Sequence, residues 1–571
     1  MIKNLFIAFL IICFPVLGFA TTWTTAVTQA GGGGACENGG ECSASEFNAL
    51  MGDYSGSTFN FSGSFTTRIE VVTIYGTSGS PLTLDGYAAG DISPITDCDE
   101  GNFTCDGNSN SSAVLLKGID IGAGLEGPDY ITIQDFRMTR DDGDTPTFRI
   151  YGDVSEADAE KHCDYLIVQR NFVYESDGTM FYYYSGRNSL VQDNRFFVYG
   201  QNSTNATQGV NLIEVDDFVF KNNEVGHDED GSILGGSAYN SGCTSAEMIE
   251  LHGVHNALIE RNDIYGAANQ SGIRPKESFG GNTNLIIRYN KIHHNLGNGT
   301  AAGAEHVGYS ISIATNLSDI NSDIYVYGNY MYGNLRGGLI GPNVHDVHFW
   351  SNIISDNGKY GLSISTWDAG GGGSDVPPNN IQFYNNTVSR NNTGGDTDNS
   401  RGGLVVINGT NVNIKNNLLW NNRPGGEGSK YNQFYSDITP TSLEHNTYWH
   451  DTVSPGGDLF YYDSAVRSLA TMKSSYSFED DAAAGEEVNT AFTNPDGADT
   501  TYGTDDDDYS LTGATTVGED LSGTIATVTI QGTDYVMDHK WGLDPNNTDW
   551  TTTPPTVAVV DRDTYGWARG A

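Results

Sequence analysis

The sequence predicts an all-β solenoid, in which short strands wind into coils that stack along one axis. An asparagine recurs throughout residues 164–449, and apolar residues stand three positions before it and two positions after it. This alternation is the period of a β-strand with one buried face. The repeats follow one another without a helix-period spacer, which is typical of stacked repeats. The recurring asparagines are Asn171, Asn194, Asn223, Asn262, Asn290, Asn329, Asn352, Asn386, Asn417 and Asn446.

The recurring asparagine suits a bend between two short strands, because Asn tolerates a left-handed backbone and hydrogen-bonds locally. In stacked coils the amides can also hydrogen-bond along the axis. Coils of this kind resemble the right-handed parallel β-helix of the pectate-lyase-like superfamily. The resemblance covers most of the chain and implies a single-stranded parallel β-helix of about a dozen coils. Because the same scaffold hosts many chemistries, this resemblance alone implies no activity.

The first residues of the chain predict its destination. Residues 1–20 combine Lys3, an apolar core and the small residues Gly18 and Ala20. That combination is typical of a secretory signal peptide. Later in the chain the sequence predicts no segment long and apolar enough to cross a bilayer. We therefore expect a secreted protein, extracellular or periplasmic.

The rest of the chain is predicted to form one domain. Residues 21–60 are expected to hold a disulfide loop and a short amphipathic helix that covers the open end of the first coil. Residues 61–450 form the β-helix, and residues 451–571 are its irregular closing segment. Insertions after the strand that follows the asparagine predict a binding cleft along one edge, with ornamental surface loops as the alternative. These insertions are residues 226–245, 296–308 and 368–379.

Composition restricts the partners of the chain. It carries 28 Lys and Arg against 72 Asp and Glu, a formal net charge of −44 at pH 7. Such acidity disfavours binding to nucleic acid and to anionic membranes. Two cysteine pairs that are close in sequence, Cys36 with Cys42 and Cys98 with Cys105, predict disulfides formed in an oxidising compartment. We expect a monomer.

A further strand in each coil precedes the asparagine strand by one turn, and its outward side chains form the candidate site. Strand alternation places Glu250, His252, Arg274 and Lys276 outward. Stacking in register would set Glu250 beside Arg274 and His252 beside Lys276, roughly 5 Å apart. Pro275 interrupts the second of these strands and removes a backbone donor, which favours a specialised site.

This set of side chains predicts a polysaccharide lyase. β-Elimination in a uronic-acid polymer needs a neutralised sugar carboxylate, a base for the C5 proton and a proton for the leaving oxygen. Arg274 is expected to clamp the carboxylate, Lys276 to act as the base and His252 to be the alternative base, with a tyrosine as the acid. The structural alternative is a Glu250–Arg274 cross-strand salt bridge. The expected substrate-binding residues are Tyr182, Tyr184, Arg336 and Trp367.

The site also resembles that of the lyase family containing chondroitinase B and alginate lyases. In that family an Asn on one coil and two Glu on the next hold calcium, a Lys shortly afterwards is the base, and an Arg acts one coil further on. Asn211, Glu250 and Arg274 match the Asn, one Glu and the Arg. The chain departs from the pattern in two ways, since Met248 stands where the other Glu would be and no Lys lies between Glu250 and Arg274. The resemblance implies Ca²⁺ bound by Asn211 and Glu250, with Lys276 or His252 as the base.

The sequence thus predicts a secreted lyase that cleaves a uronic-acid-containing polysaccharide by β-elimination. One alternative is a glycoside hydrolase on the same fold, which would need two carboxylates roughly 5–9 Å apart. Another is a non-catalytic polysaccharide-binding or adhesive solenoid, in which exposed Trp367, Trp420 and Trp449 stack on sugars. Epimerisation of uronic acids uses nearly the same groups as elimination, so it stays open.

Overall fold

Each coil of the structure contains three short strands, and each strand pairs in parallel with the matching strand of the next coil. The strands form three faces, called A, B and C in the order in which the chain meets them. The predicted parallel β-helix is therefore confirmed. The computed structural model describes residues 24–29, 36, 40–86, 98–99, 104–105, 114–115, 117–122, 128–140, 146–152, 162–175, 179–198, 208–227, 247–267, 270–276, 279–295, 308–315, 319–366, 376–393, 402–423, 431–479, 486–487, 492–494, 508–511 and 524–538.

Faces A and B share one long strand, Val210–Lys221, which bends from one face to the other. The other strands of face A are Ile69–Val71, Ile119–Gly122, Phe148–Tyr151, Phe181–Arg187, Ile249–His252, Ser271–Lys276, Tyr309–Ile313, Arg336–Ile340, Tyr360–Ile364, Gly402–Val406, Phe434–Ser436 and Asp458–Tyr462. The other strands of face B are Thr58–Phe61, Leu82–Asp85, Ile131–Gln134, Ile167–Gln169, Leu190–Gln192, His255–Glu260, Thr283–Arg288, Asn321–Tyr327, Val344–Trp350, Asn379–Tyr384, Thr410–Lys415 and Ser442–Glu444.

Face C follows the recurring asparagine in each coil and is one parallel sheet. Its strands are Ser64–Phe65, Val114–Leu115, Arg137–Arg140, Phe172–Glu175, Arg195–Val198, Glu224–His227, Asp263–Tyr265, Lys291–His293, Tyr330–Tyr332, Ile353–Ser355, Thr387–Ser389, Leu418–Trp420, Thr447–Trp449 and Glu486–Glu487. Side chains from all three faces fill one continuous core. The apolar residues that flank the ten asparagines are each at most 1% exposed, so the predicted strand alternation is confirmed.

The recurring asparagines form a ladder of hydrogen bonds along the axis. The backbone N–H and the Nδ2 of Asn329 both donate to Asn352 Oδ1 over 3.0 Å, and Nδ2 also donates to the Ile287 carbonyl over 2.9 Å. The left-handed backbone expected at the asparagines is found instead at the residue before each of them, such as Ser351 at φ 54°. The preceding residue makes the bend, and the asparagine can therefore aim its own N–H at the next coil.

A second asparagine ladder runs five residues after the first. It joins Asn295, Asn334, Asn357, Asn391 and Asn422, and the Nδ2 of Asn295 donates to Asn334 Oδ1 over 2.8 Å. The amide of Gln433 continues it, accepting from Asn422 Nδ2 over 2.9 Å. This ladder fixes the turn between face C and the next strand of face A. Its first member, Asn295, accepts from the backbone N–H of Ala267 over 2.8 Å, at the corner before the strand Ser271–Lys276.

The N-terminal segment carries the predicted helix and disulfide. Helix α1 spans Ala44–Phe47 and begins after Ser43, whose side chain forms a capping box with Glu46. The predicted Cys36–Cys42 disulfide is present. Cys98 and Cys105 lie opposite each other in an antiparallel strand pair, and their disulfide stays a prediction. The remaining short strands are Thr24–Thr28, Cys42–Ser43, Gly52–Asp53, Ile74–Tyr75, Cys98–Asp99, Thr104–Cys105, Ala465–Ser468, Phe492–Asn494, Asp508–Leu511, Thr524–Ile530 and Thr533–Asp538.

Several predicted features lie outside the described residues. They are the signal peptide at 1–20 and most of the three insertions expected to build the cleft. Helix α2, at Leu469–Tyr476, follows the last paired coil of face A. No helix within the described ranges is long and apolar enough to span a bilayer.

A hairpin near the end of the chain packs on the outside of face B. It consists of the strands Thr524–Ile530 and Thr533–Asp538. Ile530 and Met537 are fully buried against apolar side chains of face B. The Nε2 of Gln531 donates to the carbonyls of Ser189 and Asp217 over 2.8 and 3.0 Å. The hairpin thus covers apolar side chains that face B would otherwise present to water.

Glu479 closes the first asparagine ladder. Its carboxylate accepts from the backbone N–H and Nδ2 of Asn446 over 3.2 and 2.7 Å, and from Tyr448 Oη over 2.8 Å. Burial outweighs these hydrogen bonds and raises the pKa of Glu479 from 4.5 to about 7. The folded state therefore binds more protons than the unfolded chain between these two values. The stability that this protonation contributes is fully present below pH 4.5 and is lost as the pH rises through about 7.

We predict that Glu479→Gln removes this pH dependence. The amide oxygen still accepts from Asn446 Nδ2 and Tyr448 Oη, whereas the amide nitrogen cannot accept from the Asn446 backbone N–H. Because the amide carries no charge, the stability of the variant relative to the wild type rises with pH. The gain should be on the order of 3 kcal/mol above neutral pH. Denaturant unfolding between about pH 5 and pH 8 measures it. Glu444→Gln, which alters the more exposed pair with Lys415, is the control; an identical pH profile for both variants would contradict the prediction.

Candidate functional site

The candidate site lies on three neighbouring strands of face A. Their register sets Asn211 opposite Glu250, Glu250 opposite Arg274, and His252 opposite Lys276. The predicted register is confirmed. Side chains from residues far apart in sequence therefore meet on one patch of the outer surface.

Pro275 marks the end of regular pairing at this patch. Its strand pairs with the next coil at Ser271 and Ile273, and the pairing does not extend to Lys276. Proline has no N–H, so it cannot donate to the neighbouring strand. Lys276 therefore stands where the sheet ceases to be regular, and its side chain is 28% exposed.

Glu250 is the centre of the site and is only 1% exposed. Its Oε1 accepts from Lys276 Nζ over 2.7 Å and from His252 Nε2 over 3.2 Å. Its Oε2 accepts from the side-chain amides of Gln208 and Asn211. Four donors thus hold a single buried carboxylate, and the two at Oε1 are an ammonium and an imidazole.

Glu247 is a second buried carboxylate that the sequence interpretation missed. It is fully buried, and its Oε1 accepts from Arg274 Nη1 over 2.8 Å. The structural alternative, a Glu250–Arg274 salt bridge, is therefore replaced by a Glu247–Arg274 pair. Met248 lies in the core at the corner between faces C and A. A buried carboxylate thus stands one residue before Met248, at Glu247.

The two carboxylates have opposite acidities. Burial alone would raise the pKa of Glu250, but the hydrogen bond from His252 and the charge of Lys276 outweigh it and lower the pKa to about 2. Burial, reinforced by the nearby charge of Glu250, raises the pKa of Glu247 above its ordinary value despite Arg274. Glu250 therefore stays ionised at all physiological pH values, whereas Glu247 is the weaker acid.

Aromatic side chains border the site on the side of the preceding coils. Tyr184 packs against Tyr182, with ring centroids 6.2 Å apart. Phe279, from the segment after Lys276, lies 6.0 Å from Tyr184 and 6.4 Å from His252. Burial, together with the charge of Glu214, raises the pKa of Tyr184 to about 12, so its phenol remains protonated.

The two other predicted substrate-binding residues are not brought to this cluster by the described structure. Arg336 is on face A, two strands beyond the one that carries Arg274. It is 5% exposed, and its guanidinium lies 5.2 Å from the ring of Tyr309. Trp367 lies outside the described residues. A role for either residue in substrate binding stays a prediction.

The predicted calcium ion at Asn211 and Glu250 is not tested by the structure and stays a prediction. Calcium requires about six to eight oxygen ligands, whereas both oxygens of Glu250 already accept hydrogen bonds from side chains. Asn211 directs its Nδ2 at Glu250 over 3.3 Å, and its buried Oδ1 has no hydrogen-bond partner in the part of the chain that the structure describes. Within the described ranges no group of three His, Cys, Asp or Glu is placed to hold a metal ion. Arg274 and Lys276 balance the charges of Glu247 and Glu250.

Sequence signals existed for some of the missed residues. Gln208 and Glu247 each stand two residues before the first inward residue of their strands, Val210 and Ile249. Extending the alignment of these two strands back to the preceding corner would have placed Gln208 beside Glu247. Phe279 had no such signal, because its position depends on the path of a loop.

Comparison with known proteins yields structural neighbours only. No family model and no curated protein sequence matches the chain. The A-module of the Azotobacter vinelandii mannuronan C-5 epimerase AlgE4 is 13% identical, with 74% of this chain and 94% of that chain covered and a TM-score of 0.37. The alginate lyase from Paenibacillus sp. str. FPU-7 is 13% identical, with 58% and 94% covered and a TM-score of 0.32. The Dettilon tailspike protein is 11% identical, with 71% and 62% covered and a TM-score of 0.34. Similarity at this level does not assign an activity.

We predict that Arg274→Met lowers the free energy of unfolding by roughly 3–5 kcal/mol, because it leaves the Glu247 carboxylate buried without its cation. Glu247→Gln in the same chain should restore most of that loss. Denaturant unfolding measures both variants.

The matched control is Arg467→Met, which removes a 4.0 Å pair with Asp463, a carboxylate whose side chain is 68% exposed. It should cost less than about 1 kcal/mol. A double variant no more stable than Arg274→Met would show that the Glu247–Arg274 pair is not the reason for the loss.

Proposed function

We propose that this chain is a lyase that cleaves a uronic-acid-containing polysaccharide by β-elimination on face A. One observation supports the proposal above all others. The buried Glu250 carboxylate accepts from both Lys276 Nζ and His252 Nε2, at 2.7 and 3.2 Å. A cation and an imidazole are thereby fixed side by side at the surface of the sheet.

β-Elimination breaks the C5–H and C4–O4 bonds of the uronate and forms the C4–C5 double bond. Lys276, the most exposed member of the cluster, neutralises the sugar carboxylate and the charge that develops on it. His252 donates its Nε2 proton to Glu250, so a neutral ring carries its lone pair on Nδ1, which takes the C5 proton. Tyr184, kept protonated by its high pKa, gives a proton to the leaving O4.

This proposal revises two of the roles that the sequence predicts. Arg274 is 5% exposed and bonded to Glu247, so it holds that carboxylate in position and does not clamp substrate. Lys276 is bonded to a carboxylate through its ammonium, which is the form that lacks a lone pair. His252 is therefore the base, and Glu250 is a positioning residue that acts through His252 and Lys276.

The alternatives receive less support from the described residues. A hydrolase would need two carboxylates that flank the scissile bond, whereas Glu247 and Glu250 are 0% and 1% exposed and both bonded to cations. A purely adhesive solenoid was expected to display Trp367, Trp420 and Trp449. Trp420 is 7% exposed and packs with Leu418, so it offers little ring surface to a sugar. Trp449 is half-buried against the same residues, and Trp367 lies outside the described residues.

A panel of uronate and neutral polysaccharides tests the reaction class. The purified protein is incubated with each polymer while unsaturated-product absorbance and reducing ends are followed together. A lyase raises both signals, and a hydrolase raises reducing ends alone. Binding without either signal would contradict the proposal and would leave an epimerase or an adhesive protein.

We predict that His252→Gln lowers kcat at least about 100-fold, because general base catalysis contributes on the order of 10²–10⁴ to rates. The glutamine amide still donates to Glu250, so folding should be unchanged. Lys276→Met should cause a comparable loss. His345→Gln, which alters an exposed His345–Asp346 pair on face B, is the control. Undiminished turnover by His252→Gln would remove His252 from the mechanism.

A further inference from the structure

Phe279 is an unusual residue for its position. Among the described residues it is the only phenylalanine on an exposed surface, with 48% of its area accessible. Its backbone is left-handed at φ 58°, as it is at the bends of many other coils. The exposed ring is unfavourable for the isolated fold. Exposed apolar surface of this kind marks sites where a ligand binds.

The surrounding chain is adapted to hold Phe279 where it is. Gly253 faces it at φ 58°, and a Cβ there would lie 2.6 Å from the Phe279 carbonyl oxygen and 2.9 Å from its Cβ. Asn282 anchors the segment at its far end. Its Nδ2 donates to the Lys276 carbonyl over 2.8 Å, and its Oδ1 accepts from Val254 N–H over 3.0 Å. The position of the ring is therefore fixed by neighbours on both sides.

The exposed ring adjoins the chemical cluster. Tyr184 and His252 both pack perpendicular to it, at interplanar angles of 64° and 90°. His252 is itself hydrogen-bonded to Glu250. The Phe279 ring therefore packs against one of the groups proposed to carry out the reaction. A ligand that covers the ring must also lie beside the imidazole.

Charge and shape together indicate what that ligand is. An aromatic ring beside polar groups stacks on the C–H face of a pyranose, whose hydroxyls point sideways to hydrogen-bond partners. The chain carries a formal net charge of −44, but here Arg274 and Lys276 balance Glu247 and Glu250. These four groups together therefore carry no net charge that would repel an anionic sugar.

We infer that Phe279, held between Tyr184 and His252, is the stacking platform for the uronate residue next to the bond that is cleaved. This inference rests on the proposed lyase function and adds a binding subsite to it. Phe279 makes no proton transfer. It sets the affinity and the register of the polymer relative to His252.

The test is equilibrium binding of saturated tetrasaccharides prepared from alginate and from polygalacturonate. Calorimetry uses full-length protein carrying His252→Gln, so that no substrate is consumed. Adding Phe279→Ala should weaken the Kd about ten-fold, on the order expected for one lost aromatic contact. Phe279→Tyr should stay within about two-fold, and Phe279→Leu should resemble Phe279→Ala if the aromatic face is what matters.

Tyr75→Ala is the matched control, since that ring is 43% exposed and belongs to the first coils. Its Kd should equal that of the parent. An unchanged Kd for Phe279→Ala would overturn the inference, and so would a parent that binds neither tetrasaccharide.

The two hypotheses fail in different ways. Binding that depends on Phe279, in a protein whose wild type cleaves nothing, would keep the subsite and remove the lyase function. Turnover with a KM unaffected by Phe279→Ala would keep the lyase function and remove the subsite.

Discussion

Parallel stacking in register is the constraint on which the rest of the molecule depends. Each coil is too short to bury its own apolar side chains, so it is stable only against its neighbours. The asparagine ladders convert that requirement into a fixed register, because each amide bonds to the amide of the next coil. A slip of one residue would turn every core side chain outward. It would also separate Glu250 from Lys276, so the fold and the site depend on the same register.

The site uses this rigidity to keep charges where they would otherwise be costly. Glu247 and Glu250 are almost completely buried, and an unpaired carboxylate in such a place would lose several kcal/mol of solvation. Strand neighbours supply the compensating cations, Arg274 for one and Lys276 for the other. Lys276 and His252, the more exposed members of the cluster, are then hydrogen-bonded to the buried Glu250 carboxylate, which the strand fixes in place. Preorganisation of this kind is what a reaction through a charged intermediate requires.

The sequence was sufficient for the fold and for part of the site, and the reasons differ. Period-two alternation around each asparagine predicted the core, and spacing predicted that residues 249–252 and 273–276 would be neighbours. Neither pattern predicted which carboxylate pairs with Arg274. That pairing depends on the path of the chain at the corner around Met248, where strand alternation ends. The left-handed residue was placed one position late, because propensity favours Asn for a bend that Tyr289, Arg261 or Ser351 in fact makes. The second ladder was visible as asparagines at a constant offset of five residues and was overlooked.

The central claim is that the Glu250 carboxylate holds Lys276 and His252 in the positions that β-elimination requires. Its most direct test is the initial rate of unsaturated-product formation by Glu250→Gln, compared with Glu260→Gln. Glu260 is also a buried glutamate in an ion pair, with Arg288 over 2.7 Å on face B, so both variants lose the same kind of charge. The account predicts that Glu250→Gln loses kcat by at least about 100-fold while Glu260→Gln retains it. Equal rates for both variants, each still folded, would contradict the account.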